Sequence, residues 1–128
     1  MRELEKKMLR LIRSRKSGSC GATTTVDVAT DFGCAIVSLY GHQIAVIQYA
    51  EDEADWTVSM SMRGWGTVTT RSRLNALCYG LSLNCGFFQK DHVQYMTDYR
   101  GSHAIETTDI ITAVTRVAGT RPAILSGE

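Results

Sequence analysis

Leu4, Met8, Leu11 and Ile12 recur at the three- and four-residue spacing of one helical face, and Leu9 widens the stripe. This pattern predicts an amphipathic helix over residues 2–16. Ser17-Gly18-Ser19-Cys20-Gly21 reads as a helix stop and a flexible joint. From there the period shortens to two. Residues 24–29 alternate weakly, while 34–40 and 43–49 are rich in β-branched and aromatic residues and are separated by Gly41-His42, the signature of a hairpin. The acidic stretch 51–55 reads as an exposed turn. Residues 56–62 alternate cleanly, with Trp56, Val58, Met60 and Met62 on one face. Residues 24–62 are therefore expected to form a four-stranded meander. Leu74, Leu77, Cys78 and Leu81 restore the helical period and predict a second helix over 70–83, capped by Thr69 or Thr70. Short strands are expected near 86–89 and 93–96. In 106–118, Ile110, Ile111, Val114 and Val117 approach helical spacing, but the Thr and Val content fits a strand pair equally well. The expectation is one α+β domain over 1–128, with 86–128 not assigned in detail.

At 128 residues, with 44% hydrophobic and 21% charged, the chain has ordinary globular composition. No apolar run approaches the roughly 20 residues a membrane helix needs, so no membrane is expected. The charged N-terminus has no apolar run of the kind a secretory signal carries, so Cys20, Cys34, Cys78 and Cys85 are expected as free thiols in a reducing cytosol. Cys78 and Cys85, followed by His92 and His103, fit no standard zinc spacing, and no metal or cofactor is expected. The formal net charge is +1, which makes nucleic acid an unlikely main partner. That total conceals an asymmetry, because the first sixteen residues carry +5 and the rest −4. The basic helix could dock on its own sheet or on a partner subunit, or clamp nucleic acid. It lacks the aromatic anchors of a membrane-surface helix. Its apolar stripe and Gly/Ser joint suit packing across a two-fold axis, so a homo-oligomer, dimer or higher, is expected.

No nucleophile elbow, phosphate-binding loop or dinucleotide fingerprint is present. His42, His92 and His103 are scattered, and His42 reads as a turn residue. No catalytic residue is assigned, and a protein that is not an enzyme is expected. The segment that stands out is GWGTVTTRSRLNAL, residues 64–77. Arg71 and Arg73 fall in the first turn of the expected helix, where cations oppose the helix dipole. With hydroxyls from Thr69, Thr70 and Ser72 they would build a phosphate cradle at a helix N-terminus. Asn75 offers a donor and an acceptor for a base edge or ribose. Trp65, between two glycines, could stack on a planar ring. A capped surface helix, with solvated arginines and Trp65 in the core, is the competing reading.

The order of a short basic helix, Val37-x-Leu39-x-Gly41-x-x-Ile44-Ala45, and Trp65-x-Thr67-x-Thr69-Thr70-Arg71-Ser72-Arg73-Leu74-Asn75 resembles small tailed-phage proteins. Among these it is similar to the anti-Thoeris sponges, over about residues 2–80. The chain departs from them in carrying Tyr40 where that hairpin usually has His. The resemblance implies an α+β fold, assembly of dimers into larger oligomers, and sequestration without cleavage of a cyclic ADP-ribose-type immune signal or a cyclic oligonucleotide. It implies action in the cytoplasm of the infected bacterial host. It also implies ligand contacts from Trp65 and Asn75, an aromatic and an asparagine ten residues apart. The alternative is a phage nucleic-acid-binding or host-takeover protein that uses the basic helix.

Overall fold

The computed structural model describes residues 1–52, 55–115 and 123–125, the last three as backbone. Glu53 and Ala54 of the acidic turn and residues 116–118 of the C-terminal segment lie outside the described residues. Helix α1 (Glu3–Ser14) leads into strands β1 (Gly18–Cys20), β2 (Thr24–Ala29), β3 (Cys34–Leu39), β4 (His42–Gln48) and β5 (Thr57–Met60). Helix α2 (Val68–Gly80) follows, then β6 (Gly86–Lys90), β7 (Val93–Asp98), β8 (Gly101–Ile105), β9 (Ile110–Val114) and β10 (Ala123–Leu125). The fold is α+β, with two antiparallel sheets among the described residues.

The larger sheet has seven strands in the order β1-β2-β3-β4-β5-β9-β10, and the smaller has β6-β7-β8. Because β9 pairs with β5, helix α2 and the whole small sheet are inserted between two neighbouring strands. Strand register aligns the apolar positions into rows. Val26, Val37, Ala45, Met60 and Ile111 are cross-strand partners in succession, and all five are buried. Ala35, Ile47, Val58 and Ala113 make a parallel buried row. Period-two patterning places both rows on the same face, and α1 and α2 cover it.

Helix α1 turns Met8, Leu9 and Ile12 inward onto its own chain. The apolar stripe expected to pack across a two-fold axis is thus used within one molecule. The backbone N–H of Arg2 donates to Glu5 Oε1 at 3.2 Å at the start of the helix. At its end Arg15 adopts a left-handed conformation, and its guanidinium lies 4.3 Å from the Tyr49 ring centre. The Tyr49 hydroxyl donates to the Ile12 carbonyl at 2.6 Å.

Three local expectations are corrected, and one left open between helix and strand is decided. The joint at 17–21 contains β1, paired with β2, and Cys20 is fully buried there because its side chain faces the core. The hairpin turn is Tyr40-Gly41 rather than Gly41-His42. A two-residue turn that matches strand twist needs positive φ at both central residues, and here these are 51° and 80°. Helix α2 begins at Val68 with Thr67 as its cap, the Thr67 hydroxyl oxygen accepting the Thr70 N–H, and it stops at Gly80 before left-handed Ser82 and Asn84. Residues 110–114 form a strand, because the open edge of β5 takes them up.

Gly80 sits where α1 and α2 cross, and a Cβ there would lie 2.4 Å from Leu9 Cδ1. Gly80→Val should therefore destabilise the fold by about 1–3 kcal/mol through overpacking. Adding Leu9→Ala should recover part of that loss, giving a non-additive cycle in urea denaturation. Strictly additive losses would show that the two helices do not meet at this point.

Candidate functional site

The tip of the β3–β4 hairpin, the segment after β5 and the start of α2 enclose an open cavity of about 430 Å³. That volume lies within the range of small-molecule sites. Leu39, Ile44 and Met62 form an apolar floor, and all three are buried. Tyr40, His42 and Trp65 make an aromatic wall. Thr67 and Thr70 bring two hydroxyls to the helix side, 2.9 Å from each other.

Backbone geometry explains why the rings stand out from the surface. Tyr40 at φ 51° is a bulky residue in a left-handed turn, a conformation disfavoured for such side chains, and its backbone N–H is anchored to the Thr23 carbonyl at 2.8 Å. Arg63 and Gly64 also have positive φ, closing a tight turn in which Trp65 N–H donates to the Met62 carbonyl at 2.9 Å. Gly66 follows against Gln94, whose Nε2 would lie 2.7 Å from any added Cβ. Trp65 is thereby held on a constrained loop, 55% exposed, with its ring centre 5.5 Å from that of His42.

The six residues expected to bind ligand are divided by the fold. Trp65 and Thr70 meet in the cavity, and Thr69 is half-buried in the first turn of α2. The other three are engaged elsewhere. Arg71 Nη1 donates to the Gly66 carbonyl at 2.9 Å, to Gln89 Oε1 at 3.0 Å and to Gln94 Oε1 at 3.1 Å, tying α2 to the small sheet. Arg73 is 3% exposed and donates through Nη1 to Glu5 Oε2 at 2.8 Å and through Nε to Thr24 Oγ1 at 3.1 Å. Asn75 clamps β6, donating to the Phe87 carbonyl at 2.9 Å and accepting the Phe87 N–H at 2.7 Å. A phosphate cradle from Arg71 and Arg73 is therefore not assembled. With the helix starting at Val68, both arginines fall beyond its opening turn, and the dipole conflict that singled them out is weaker than the expected boundary implied.

Tyr40, His42 and Thr67, with the three floor residues, were not singled out by sequence. The available signal was the Tyr40-Gly41-His42 tip itself, two aromatic rings flanking a glycine between two apolar strands. Among the described residues no group of three or more His, Cys, Asp or Glu could hold a metal ion. No described helix is long and apolar enough to cross a membrane.

An antiparallel α+β fold with an insertion of α2 and three strands, and an aromatic-walled cavity beside that insertion, defines the structural class. Residues 1–115 match the Kyanoviridae Gp96 protein family, and the chain belongs to that family of phage proteins. Nothing among curated proteins or solved structures matches it.

Glu5 joins the cavity's supporting helix to the rest of the fold. Burial raises its pKa, but hydrogen bonds from the Ser72 hydroxyl, the Arg2 N–H and Arg73, together with the Arg73 charge, outweigh burial and leave it below the ordinary value of 4.5. A folded-state pKa below the unfolded one gives stability that is complete above about pH 4.5 and is lost as pH falls through the depressed value. Glu5→Gln should cost about 3–5 kcal/mol near pH 7, because it leaves a buried guanidinium without its counter-charge. The gap in melting temperature between wild type and variant should narrow as pH falls below 4. A gap that stays constant down to pH 3 would show that Glu5 is not the linked group.

Proposed function

We propose that this phage protein binds and sequesters a small planar ligand of the nucleotide immune-signal class, a cyclic ADP-ribose isomer or a cyclic oligonucleotide, and releases it unaltered. The observation that carries this reading is the cavity walled by Tyr40, His42 and Trp65 over an apolar floor. Aromatic rings offer stacking partners to any nucleobase, each stack being worth about 1–3 kcal/mol. Phosphate contacts move from Arg71 and Arg73 to the opening turn of α2. There the N–H groups of Val68 and Thr69 have no helical carbonyl to donate to, and the dipole is positive. Thr67 and Thr70 add hydroxyls for ribose. The resemblance to anti-Thoeris sponges points the same way and puts the activity in the cytoplasm of the infected host. It also suggests a homo-oligomer in which a second copy closes the open side of the cavity.

A second reading rests on α1. Lys6, Lys7, Arg10 and Arg13 line an open groove on its outer face, a basic surface suited to nucleic acid. Salt separates the two, since log affinity for DNA falls steeply with log salt.

Calorimetric titration with a cyclic ADP-ribose isomer and with a cyclic dinucleotide tests the proposal. Trp65→Ala should weaken binding by about five- to a hundredfold with the fold intact, because its ring stands largely in solvent. Arg13→Ala should leave nucleotide affinity nearly unchanged. Recovery of a hydrolysed ligand, or a larger loss from Arg13→Ala than from Trp65→Ala, would replace the sponge reading with an enzyme or a nucleic-acid clamp.

A further inference from the structure

The last turn of α2 and the residue before β6 bring two thiols together: Cys78 Sγ and Cys85 Sγ are 3.4 Å apart. Cys78 is buried, with Met60 Sδ 3.9 Å away, whereas Cys85 is only partly covered and is the more accessible of the two. The loop between them, residues 81–84, turns through left-handed Ser82 and Asn84, so the backbone already folds back to present one thiol to the other. The remaining pair is placed differently. Cys20 and Cys34 are both buried, on β1 and β3, and have no sulfur partner among the described contacts.

We propose that Cys78 and Cys85 form a redox-active dithiol, which a small peroxide converts to a reversible disulfide stapling the end of α2 to the start of β6. The sulfurs need to approach by roughly 1.4 Å to reach bonding distance. Cys85 acts first because it is the accessible thiol, while its contact with Cys85 and its own burial push the Cys78 thiol well above its ordinary value of 9.0. The Cys85 thiolate attacks one peroxide oxygen, the O–O bond breaks, and hydroxide leaves to become water, giving a sulfenic acid. Cys78 sulfur then attacks Cys85 sulfur. The S–S bond forms, the S–O bond breaks, and the departing hydroxide takes up the Cys78 proton as a second water. Two thiols have lost two electrons and two protons, and one hydrogen peroxide has become two waters.

Asn75 already holds β6 against the same helix through the Phe87 backbone. The disulfide would add a covalent tie one turn further along, shutting a short loop and leaving the cavity at the opposite end of α2 untouched.

The test exposes the full chain to excess hydrogen peroxide and follows intact mass under non-reducing conditions. The expected product is 2 Da lighter, yields a peptide pair joining Cys78 to Cys85, leaves two alkylatable thiols after unfolding, and regains its mass with dithiothreitol. Cys85→Ser, a change at the partly exposed position, should abolish the loss of 2 Da. Cys78→Ser should leave Cys85 as a sulfenic acid captured by dimedone. The proposal is overturned if wild-type protein gains oxygen at Cys85 without a crosslink. It is equally overturned if Cys20 and Cys34 oxidise as fast, or if mass is unchanged under conditions that oxidise a free cysteine peptide.

Discussion

A buried guanidinium cannot remain without a counter-charge, and in this protein that requirement falls on Glu5 and Arg73. Both side chains are almost fully enclosed, 4% and 3% exposed, and each is tied to more than its partner. One Glu5 oxygen takes the Arg2 N–H at the start of α1, and the other takes Ser72 and Arg73 from α2, while Arg73 reaches Thr24 on β2. Two helices and the large sheet are thereby fixed by one shared set of charged and hydroxyl groups. An apolar contact could slide by a residue at small cost, whereas this set is satisfied in one arrangement only. The close α1–α2 crossing at Gly80 and the orientation of α2 toward the cavity both follow from it.

The cavity is built on constrained backbone for a related reason. Its walls come from two tight turns with positive φ, Tyr40-Gly41 and Arg63-Gly64, and from a capped helix start. Each of these positions a side chain with little local freedom. Rings that stand in solvent lose stability relative to burial, and the constrained loops keep them ordered there.

Periodicity in the chain was enough to read both helices, the strands of the meander and the α+β class, because those elements obey one-dimensional rules. What escaped it depended on partners distant in sequence. Residues 110–114 could be read as helix or strand until β5 was seen to need a neighbour. Gly18–Cys20 looked like a joint because its pairing with β2 cannot be inferred from three small residues. At the site, Trp65 and Thr70 were legible as members of one cluster, and both line the cavity. Arg73 and Asn75 were misread for a common physical reason. Their donor chemistry is the same whether the acceptor is a phosphate or a buried Glu5, a nucleobase edge or the Phe87 backbone. Only three-dimensional burial distinguishes these uses.

The insertion of α2 and the small sheet between β5 and β9 also sets an order of events during synthesis. Ser59 and Thr112, adjacent in the sheet, are 53 residues apart in the chain. At about 5–20 residues per second, the outer edge of β5 waits on the order of several seconds for its neighbour to emerge. Throughout that interval a row of unpaired N–H and C=O groups lies beside buried-type side chains, the configuration most prone to pairing with another chain. The nascent protein is therefore most exposed to misassembly while the insertion is being made, and only the arrival of β9 closes that edge.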